Sequence, residues 1–279
     1  MKKMLPESEL ARDERFVRSK IEDRIFDPRG AKIAARNTGP AKMATDRPAA
    51  AERSRSLMHG IFVGEIQALE GAGRTCFDFD DTEAPFQLKL DMARQCWDEA
   101  RHCEISLKLG DHMGTEIGEY TESTFLFSAA CNPDPVLRLC GVNRALEGLA
   151  IDVFSTMKEF GDESGDPVLE FCEDWMLADE VTHVKMGSDW LRRLTEKDKE
   201  RQQQALDFQR TVDKLFSFGG LRGEEDENPI HLARKFRTLA GFTDDEISEL
   251  VDISAEAYQE AQAIAATAAP ADAVAPAEG

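Results

Sequence analysis

Two stretches decide the fold: DEARH at residues 98–102 and DEVTH at residues 179–183. In a helix, residues three apart lie on one face, about one turn from each other. A glutamate and the histidine three positions later can therefore point at one site. The chain has only five histidines, so two of them at the same offset behind Asp-Glu indicate a repeated functional motif.

Two further glutamates extend the pattern. Glu65 precedes Glu99 by 34 residues, and Glu147 precedes Glu180 by 33. These spacings are typical of two antiparallel helical hairpins, each carrying one Glu on its first helix and Glu-x-x-His on its second. Glu70 lies on the same helix as Glu65 and is the alternative there. The candidate ligands are Glu65, Glu99, His102, Glu147, Glu180 and His183.

A solvated acidic face with core histidines is the simpler alternative for these residues. However, Glu99 lies on an apolar stripe with Leu88, Met92 and Ile105, and Glu147 lies in the apolar run Leu146–Ala150. Charged residues at core-facing positions need partners. The other histidines near this region, His59 and His112, are off the pattern, and we expect them to be structural or exposed.

Metal ions explain why these residue types would converge. Four buried carboxylates repel one another, whereas two divalent cations neutralise them. Oxygen ligands with one imidazole per metal favour two iron ions, a mixed Fe/Mn pair or two manganese ions over zinc or copper. In the four-helix template for such sites, Glu99 and Glu180 bridge, and the remaining ligands divide between the metals. Asp98 and Asp179 are candidate acceptors for the ring N–H of the opposite histidine.

The helical pattern predicts an all-α fold. Four long helices are expected at 49–72, 84–109, 134–160 and 166–195, with glycines near 71–73, 110 and 161 as their stops. The first two helices and the last two are joined by short connections, whereas 110–133 is long enough to cross the bundle. Two antiparallel hairpins plus one long crossover form the ferritin-like four-helix bundle.

Four segments follow from composition. Residues 1–48 form a basic arm or strap with a helix near 7–26, and 49–195 form the di-metal bundle. Residues 196–264 form a helical extension, in which a charged helix at 196–216 precedes two shorter ones. The Ala/Pro-rich tail, 265–279, is expected to be disordered.

Net charge and composition limit the classes of binding partner that we expect for this chain. The chain has 279 residues and a net charge of −20, yet residues 1–55 hold fourteen basic and nine acidic residues. The acidic body argues against a duplex-binding protein, and an RNA contact by the basic arm stays as an alternative. No membrane-spanning run and no secretory signal are seen, so we expect a cytoplasmic protein. The six cysteines include no CxxC and are expected to be reduced, with Cys96 and Cys103 packed in the core rather than binding metal.

With these motifs in place, the chain resembles the ferritin-like superfamily of carboxylate-bridged di-metal proteins, in a bacterial branch. The stretches that carry the resemblance are HGIFVGEIQALE (59–70), DEARHCEISLKLG (98–110), EGLAIDVF (147–154), DEVTHVKMGSDWLRRL (179–194) and HLARKFRTLAGFT (231–243). The resemblance implies a reduced di-metal centre that reacts with O2 through the six ligands.

The chain also departs from better-known members. It lacks the CxxC module of rubrerythrin-like peroxidases, and its two tyrosines, Tyr120 and Tyr258, lie away from the ligands, unlike the radical tyrosine of ribonucleotide-reductase small subunits. Met176 stands where arylamine N-oxygenases carry an extra histidine. Storage ferritins lack the long C-terminal extension.

These features favour an O2-dependent di-metal oxidoreductase, a hydroxylase or oxygenase of a small organic substrate. It would need an electron donor, and a homodimer is compatible with such an enzyme. The apolar neighbours expected to line a substrate pocket are Phe62, Leu69, Ile151 and Phe154. The alternatives are ferroxidase, iron-storage or peroxide-scavenging activity and, more weakly, RNA hydroxylation.

Overall fold

The computed structural model describes residues 49–120, 122, 124–217, 222–223 and 230–267. The predictions for the arm at 1–48 and for residues 268–279 of the tail lie outside these residues. Residues 265–267 of the tail, which were predicted to be disordered, are helical. The helices are α1 (Ala49–Phe77), α2 (Phe86–Met113), α3 (Phe125–Ala130), α4 (Pro135–Leu139), α5 (Glu147–Ser164), α6 (Pro167–Leu194), α7 (Lys199–Ser217), α8 (Arg234–Leu239) and α9 (Asp244–Thr267). A π-helical segment, Cys140–Leu146, joins α4 to α5. The all-α prediction is confirmed.

Sheet structure is minimal in the described part of the chain. Strands β1 (Arg222–Gly223) and β2 (Ile230–His231) pair in parallel, with Arg222 opposite Ile230. This agrees with the sequence, which has few strictly alternating apolar segments.

The long helices pack as two antiparallel hairpins. In the first, Arg55 of α1 donates to the carbonyl of Gly114 just past α2, while Cys76 near the other end of α1 lies 3.5 Å from the carbonyl oxygen of Lys89. In the second, Lys158 of α5 pairs with Asp174 of α6 at 2.6 Å. The two predicted hairpins are therefore present.

Helices α2 and α6, which carry the Glu-x-x-His motifs, also run antiparallel to each other. Trp190 Nε1 donates to Asp91 Oδ2 at 2.7 Å at one end of the pair. At the other end, His112 Nε2 lies 2.6 Å from Asp166 Oδ2. The two motifs thus meet at one level in the middle of the bundle.

The predicted helix starts agree with the structure better than the predicted stops. Asp166 caps α6 by accepting from the backbone N–H groups of Val168 and Leu169 at 3.1 Å, as its position before a proline indicated. Helices α1, α2 and α5, by contrast, run four or five residues past the predicted stops at 72, 109 and 160. The stops assigned to Gly71, Gly110 and Gly161 were wrong.

Close helix–helix packing explains why glycine stands at positions 71 and 161. A Cβ at Gly71 would lie 2.8 Å from the Cβ of Ala130, and one at Gly161 would lie 2.6 Å from the backbone nitrogen of Glu170. The helices instead end at Gly114 and Gly165, whose φ values of 73° and 68° are left-handed. A glycine needed for helix–helix contact looks the same in sequence as one that ends a helix.

The C-terminal extension packs against the second hairpin. Helix α7 covers the π-helical segment and α4, and α9 packs on α7. Arg237 of α8 is fully buried, with Nη2 2.7 Å from Asp152 Oδ2 and 2.6 Å from the carbonyl of Gly148. The extension is therefore joined directly to the first turns of α5, where Glu147 lies.

Candidate metal centre

The four long elements bring the six predicted ligands together. Glu65 comes from α1, Glu99 and His102 from α2, and Glu147 is the first residue of α5. Glu180 and His183 come from α6. All six are buried, with exposed fractions between 0 and 4%.

The side chains form two groups that share two members. One group contains Glu65, Glu99, His102 and Glu180, and the other contains Glu99, Glu147, Glu180 and His183. In each group one ligand atom per residue lies within 4.8 Å of all the others. Each group could hold a metal ion, and Glu99 and Glu180 belong to both.

The two histidines present the same ring nitrogen to the site. His102 Nδ1 lies 3.0 Å from Glu65 Oε2 and 3.2 Å from Glu180 Oε1. His183 Nδ1 lies 3.2 Å from Glu99 Oε1. Both Nε2 atoms point away from the four glutamates and toward Asp179 and Asp98, which leaves Nδ1 as the nitrogen available to a metal.

Several atoms in the middle of the site make no hydrogen bond. They are Glu99 Oε2, both carboxylate oxygens of Glu180, and His183 Nδ1, all within the described bundle. The carboxylates of Glu99 and Glu180 have only ion-pair contacts of 3.2–3.5 Å to the histidine Nδ1 atoms at these oxygens, and buried carboxylates are costly unless a cation neutralises them. Oxygen donors with one imidazole per group suit a hard or borderline divalent ion, so the residues present fit a metal pair.

The sequence matches one family model over most of its length. A family model described as "Protein of unknown function (DUF455)" matches residues 3–248. The chain belongs to the DUF455 family. No curated protein matches the sequence.

The pKa values of the four glutamates in this DUF455 chain shift in two opposite directions. Burial raises the pKa of Glu65 and of Glu147 well above the usual range, and the charges of Glu99 and Glu180 add to the effect. Burial acts in the same direction on Glu99 and Glu180, but the two histidines outweigh it and lower both pKa values. Burial acts to lower the pKa of His102 and of His183, but the surrounding carboxylates outweigh it and raise both pKa values. Metal ions would displace the protons on the rings and on the outer glutamates.

Two aspartates hold the histidines from outside. His102 Nε2 lies 3.3 Å from Asp179 Oδ2, and His183 Nε2 lies 3.3 Å from Asp98 Oδ2. Each aspartate therefore contacts the histidine of the opposite helix, as the sequence predicted for Asp98 and Asp179. That these contacts support bound metals stays a prediction.

Arg101 joins the two aspartates and was missed in the sequence. Its Nη2 donates to Asp98 and lies 3.3 Å from Asp179 Oδ2, while its guanidinium stacks 4.5 Å from the Trp175 ring. Burial raises the pKa of Asp98, but hydrogen bonds from His183 and Arg101 outweigh it and hold that pKa below its usual value. Arg101 lies within the motif itself, between Glu99 and His102, which is the signal that could have identified it.

Gln95 and Asn143 were also missed. Gln95 Nε2 donates to Glu147 Oε1 at 2.7 Å and to Glu99 Oε1 at 3.0 Å, and its own Oε1 accepts from Asn143 Nδ2 at 2.6 Å. Each lies one helical turn before a ligand, Gln95 before Glu99 and Asn143 before Glu147. This spacing could have drawn attention to both.

The π-helical segment Cys140–Leu146 places Asn143 inside the bundle and leads directly into Glu147. Segments of this kind are rare and often occur at functional sites. Arg144 in the same segment is buried, with hydrogen bonds to Gln209 at 2.8 Å and Ser188 at 2.6 Å and an ion pair with Glu246. No local pattern in the sequence marks this change of helix type.

The remaining predicted residues lie as follows. Phe62, Ile151 and Phe154 are buried, with the Phe154 ring 6.1 Å from that of His102, and Leu69 is half-buried. Their role as a substrate pocket stays a prediction.

The residues predicted to stay outside the ligand set can also be placed. Glu70 is in neither group. His59 accepts from the backbone N–H of Gly118 at 2.9 Å, and His112 pairs with Asp166. The six cysteines are free thiols, and Cys96 and Cys103 are outside both groups. No described helix is long and apolar enough to span a bilayer.

Proposed function

We propose that this chain is a ferritin-like di-metal oxidoreductase that uses O2 to oxidise a small organic molecule. The observation that carries the proposal is the pair of buried ligand groups sharing Glu99 and Glu180. In the template for di-iron and di-manganese carboxylate proteins, two helices give one Glu each and two give Glu-x-x-His. The two hairpins joined by a long connection support the same assignment.

The ligands divide between the metals by their grouping. Glu65 and His102 would hold one ion, Glu147 and His183 the other, and Glu99 and Glu180 would bridge them. Two divalent ions balance four carboxylates, so the loaded site would be neutral. Iron is our first choice and manganese the second. When bound, such metals supply the electrons that reduce O2.

The protein's own side chains prepare this site. Asp179 and Asp98 would accept hydrogen bonds from the Nε2–H groups of His102 and His183, which leaves both Nδ1 atoms free for metal. The Gln95 amide fixes the orientation of Glu99 and Glu147. The bundle core keeps bulk water out, which strengthens the electrostatic interactions inside. The apolar residues around Phe154 provide the surface on which an apolar substrate would lie.

Metal counting combined with O2 uptake tests the proposal. The purified chain is loaded anaerobically with Fe(II), and in parallel with Mn(II), and the metal is counted per chain. The reduced iron form is then mixed with O2 and followed by O2 consumption and visible absorption. We expect about two ions per chain, the capacity of the template site, and rapid O2 consumption.

The particle mass separates the oxygenase from the iron-storage alternative. An oxygenase should be a small oligomer. Many irons per chain in a large hollow shell would instead identify ferroxidase and storage activity. Loaded protein that leaves O2 untouched would contradict the oxidoreductase assignment while leaving metal binding intact.

A further inference from the structure

A fifth buried glutamate lies near the metal centre and belongs to neither ligand group. Glu173 of α6 precedes Glu180 by seven residues, so it lies two turns away on the same helix face, about 10 Å along the axis. Its exposed fraction is 0%, and neither carboxylate oxygen has a hydrogen-bond partner among the described residues.

The surroundings of Glu173 disfavour its charged form. Its own helix contributes Leu169 and Leu177 to the central apolar core cluster, α1 contributes Met58, and α5 contributes Met157. Burial raises the pKa of Glu173 well above its usual range, and His102 of α2 acts weakly in the opposite direction. An apolar side chain would fit this core at lower cost, so the acid is a candidate for a function.

Ser106 is a second unpaired polar group in the same part of the bundle. It lies on α2 one turn after His102, is 1% exposed, and its hydroxyl has no hydrogen-bond partner among the described residues. Because α2 and α6 are antiparallel, residues after His102 and residues before Glu180 lie toward the same end. His102 and Glu180 are level, so Ser106 lies about 6 Å along the axis from the ligands, between them and Glu173.

The opposite end of the metal centre is built differently. The residue that corresponds to Glu173 on α2, seven positions before Glu99, is Met92. The polar group nearest the ligands there is Gln95, whose amide is hydrogen-bonded to Glu147, Glu99 and Asn143. Among the described residues, only the Glu173 end combines an acid and a hydroxyl that both lack hydrogen-bond partners. The two polar groups without partners therefore lie beside the Glu65–His102 half of the site and not beside the Glu147–His183 half.

We propose that Glu173 holds a proton on its carboxyl group and delivers it, through the hydroxyl of Ser106, to the Glu65–His102 side of the metal centre. Glu173 and Ser106 are not hydrogen-bonded to each other in the structure, so the transfer requires the two side chains to turn toward each other. Ser106 Oγ would then accept the proton from Glu173 and release its own, so that Ser106 is unchanged and Glu173 is left as a carboxylate. Bound metals would supply the electrons that reduce O2, and that reduction would consume the proton. Glu173 would then regain a proton from solvent. This inference rests on the proposed function.

Three variants test the relay. Glu173→Gln keeps the shape but holds no transferable acid proton, and Ser106→Ala removes the hydroxyl. Met176→Leu is the control, because it lies in the same core cluster and nearly conserves volume. All three should load metal like the wild type. Single-turnover O2 reactions should be slowed by about 10²-fold or more in Glu173→Gln, the usual contribution of a positioned proton donor. They should be slowed less in Ser106→Ala and unchanged in Met176→Leu.

Two further readouts separate proton delivery from a structural role. The infrared spectrum of the metal-free wild type at neutral pH should contain a protonated carboxylic acid band that Glu173→Gln lacks. Glu173→Asp, which keeps the acid, should recover part of the rate and change its pH profile. The relay would be overturned if Glu173→Gln kept the wild-type rate and pH profile. It would also be overturned if Glu173→Gln kept the protonated carboxylic acid band of the wild type. Wild-type and Met176→Leu proteins that both fail to react with O2 would instead overturn the proposed function, and the relay with it.

Discussion

Asp179 lies 3.3 Å from Nε2 of His102, a residue 77 positions earlier on the facing helix. Asp98 has the reciprocal relationship with His183. The two Asp-Glu-x-x-His motifs therefore complete each other, since each provides the carboxylate that orients the other's imidazole. A pair of such motifs would form one site rather than two independent ones.

Replacing Asp179 with Asn tests this crossed arrangement. The amide keeps the shape but removes the negative charge that favours an Nε2–H donor on His102. We expect metal affinity to fall about 10–100-fold, as is usual for such outer contacts, measured by metal titration. Asp174→Asn, at an exposed position of the same helix, should change nothing. Equal affinities in the two variants would contradict the role of Asp179.

Removing a shared carboxylate should have a larger effect. Glu99→Ala or Glu180→Ala takes one member from both ligand groups, so we expect neither variant to load two metals. Elemental analysis after loading and desalting measures the ratio of metal to protein. Glu104→Ala is the matched control, since Glu104 lies on α2 with its side chain 68% exposed. Two ions per chain in either shared-ligand variant would exclude bridging.

Gln95→Met tests the amide that holds the carboxylates. It removes the donor to Glu147 and Glu99 and leaves the buried Asn143 amide without its acceptor. Each unsatisfied buried group costs about 1–3 kcal/mol, so the free energy of unfolding of the metal-free protein should fall by that order. Denaturant titration measures it, with the exposed Gln87→Met as control. Unchanged stability would show that the amide contributes no net free energy.

The buried ion pair that joins the C-terminal extension to the bundle, Arg237–Asp152, can be tested by a double-mutant cycle. Arg237→Met leaves the buried Asp152 carboxylate without its cation, which should destabilise the fold by about 3–5 kcal/mol. Adding Asp152→Leu removes the stranded charge and should recover much of the loss. Denaturant unfolding of the four proteins gives the coupling. Purely additive effects would contradict a direct ion pair.

His59 should make the fold sensitive to mild acid. Burial lowers its pKa, although Glu122 and Glu119 act in the opposite direction. A histidine with a lowered folded-state pKa takes up its proton more readily when unfolded, so its contribution to stability is present at neutral pH. That contribution is lost as the pH falls below about 6.5, the unfolded value. Unfolding of metal-free wild type and His59→Asn at pH 7.5 and 5.5 measures it. His59→Asn should lose less stability, and an equal loss would contradict the prediction.

Much of this site could be predicted because its ligands repeat in the sequence. The equal offsets of Glu99–His102 and Glu180–His183, and the matching distances back to Glu65 and Glu147, depend only on helix periodicity and hairpin length. The contacts of Asp98 and Asp179 with the histidines could be predicted because each aspartate directly precedes a predicted ligand, Glu99 or Glu180. The helix starts were also readable, because Asp166-Pro167 has a local capping chemistry.

The remaining features depend on packing, which a single sequence does not display. Gly71 and Gly161 are needed for contacts with Ala130 and the Glu170 backbone, and those partners are distant in the chain. The π-helical segment buries both Asn143 and Arg144, and their partners Gln95, Gln209 and Ser188 are distant in the chain. Glu173 is one acid among many in a strongly acidic chain, and only its burial distinguishes it.

The most direct measurement is a crystal structure of the chain loaded with Fe(II) or Mn(II), with the ions located by anomalous scattering. The account predicts two peaks about 3.5–4 Å apart, one beside Glu65 and His102 and one beside Glu147 and His183, with Glu99 and Glu180 between them. A folded, metal-saturated protein with no peak among these six side chains would contradict it.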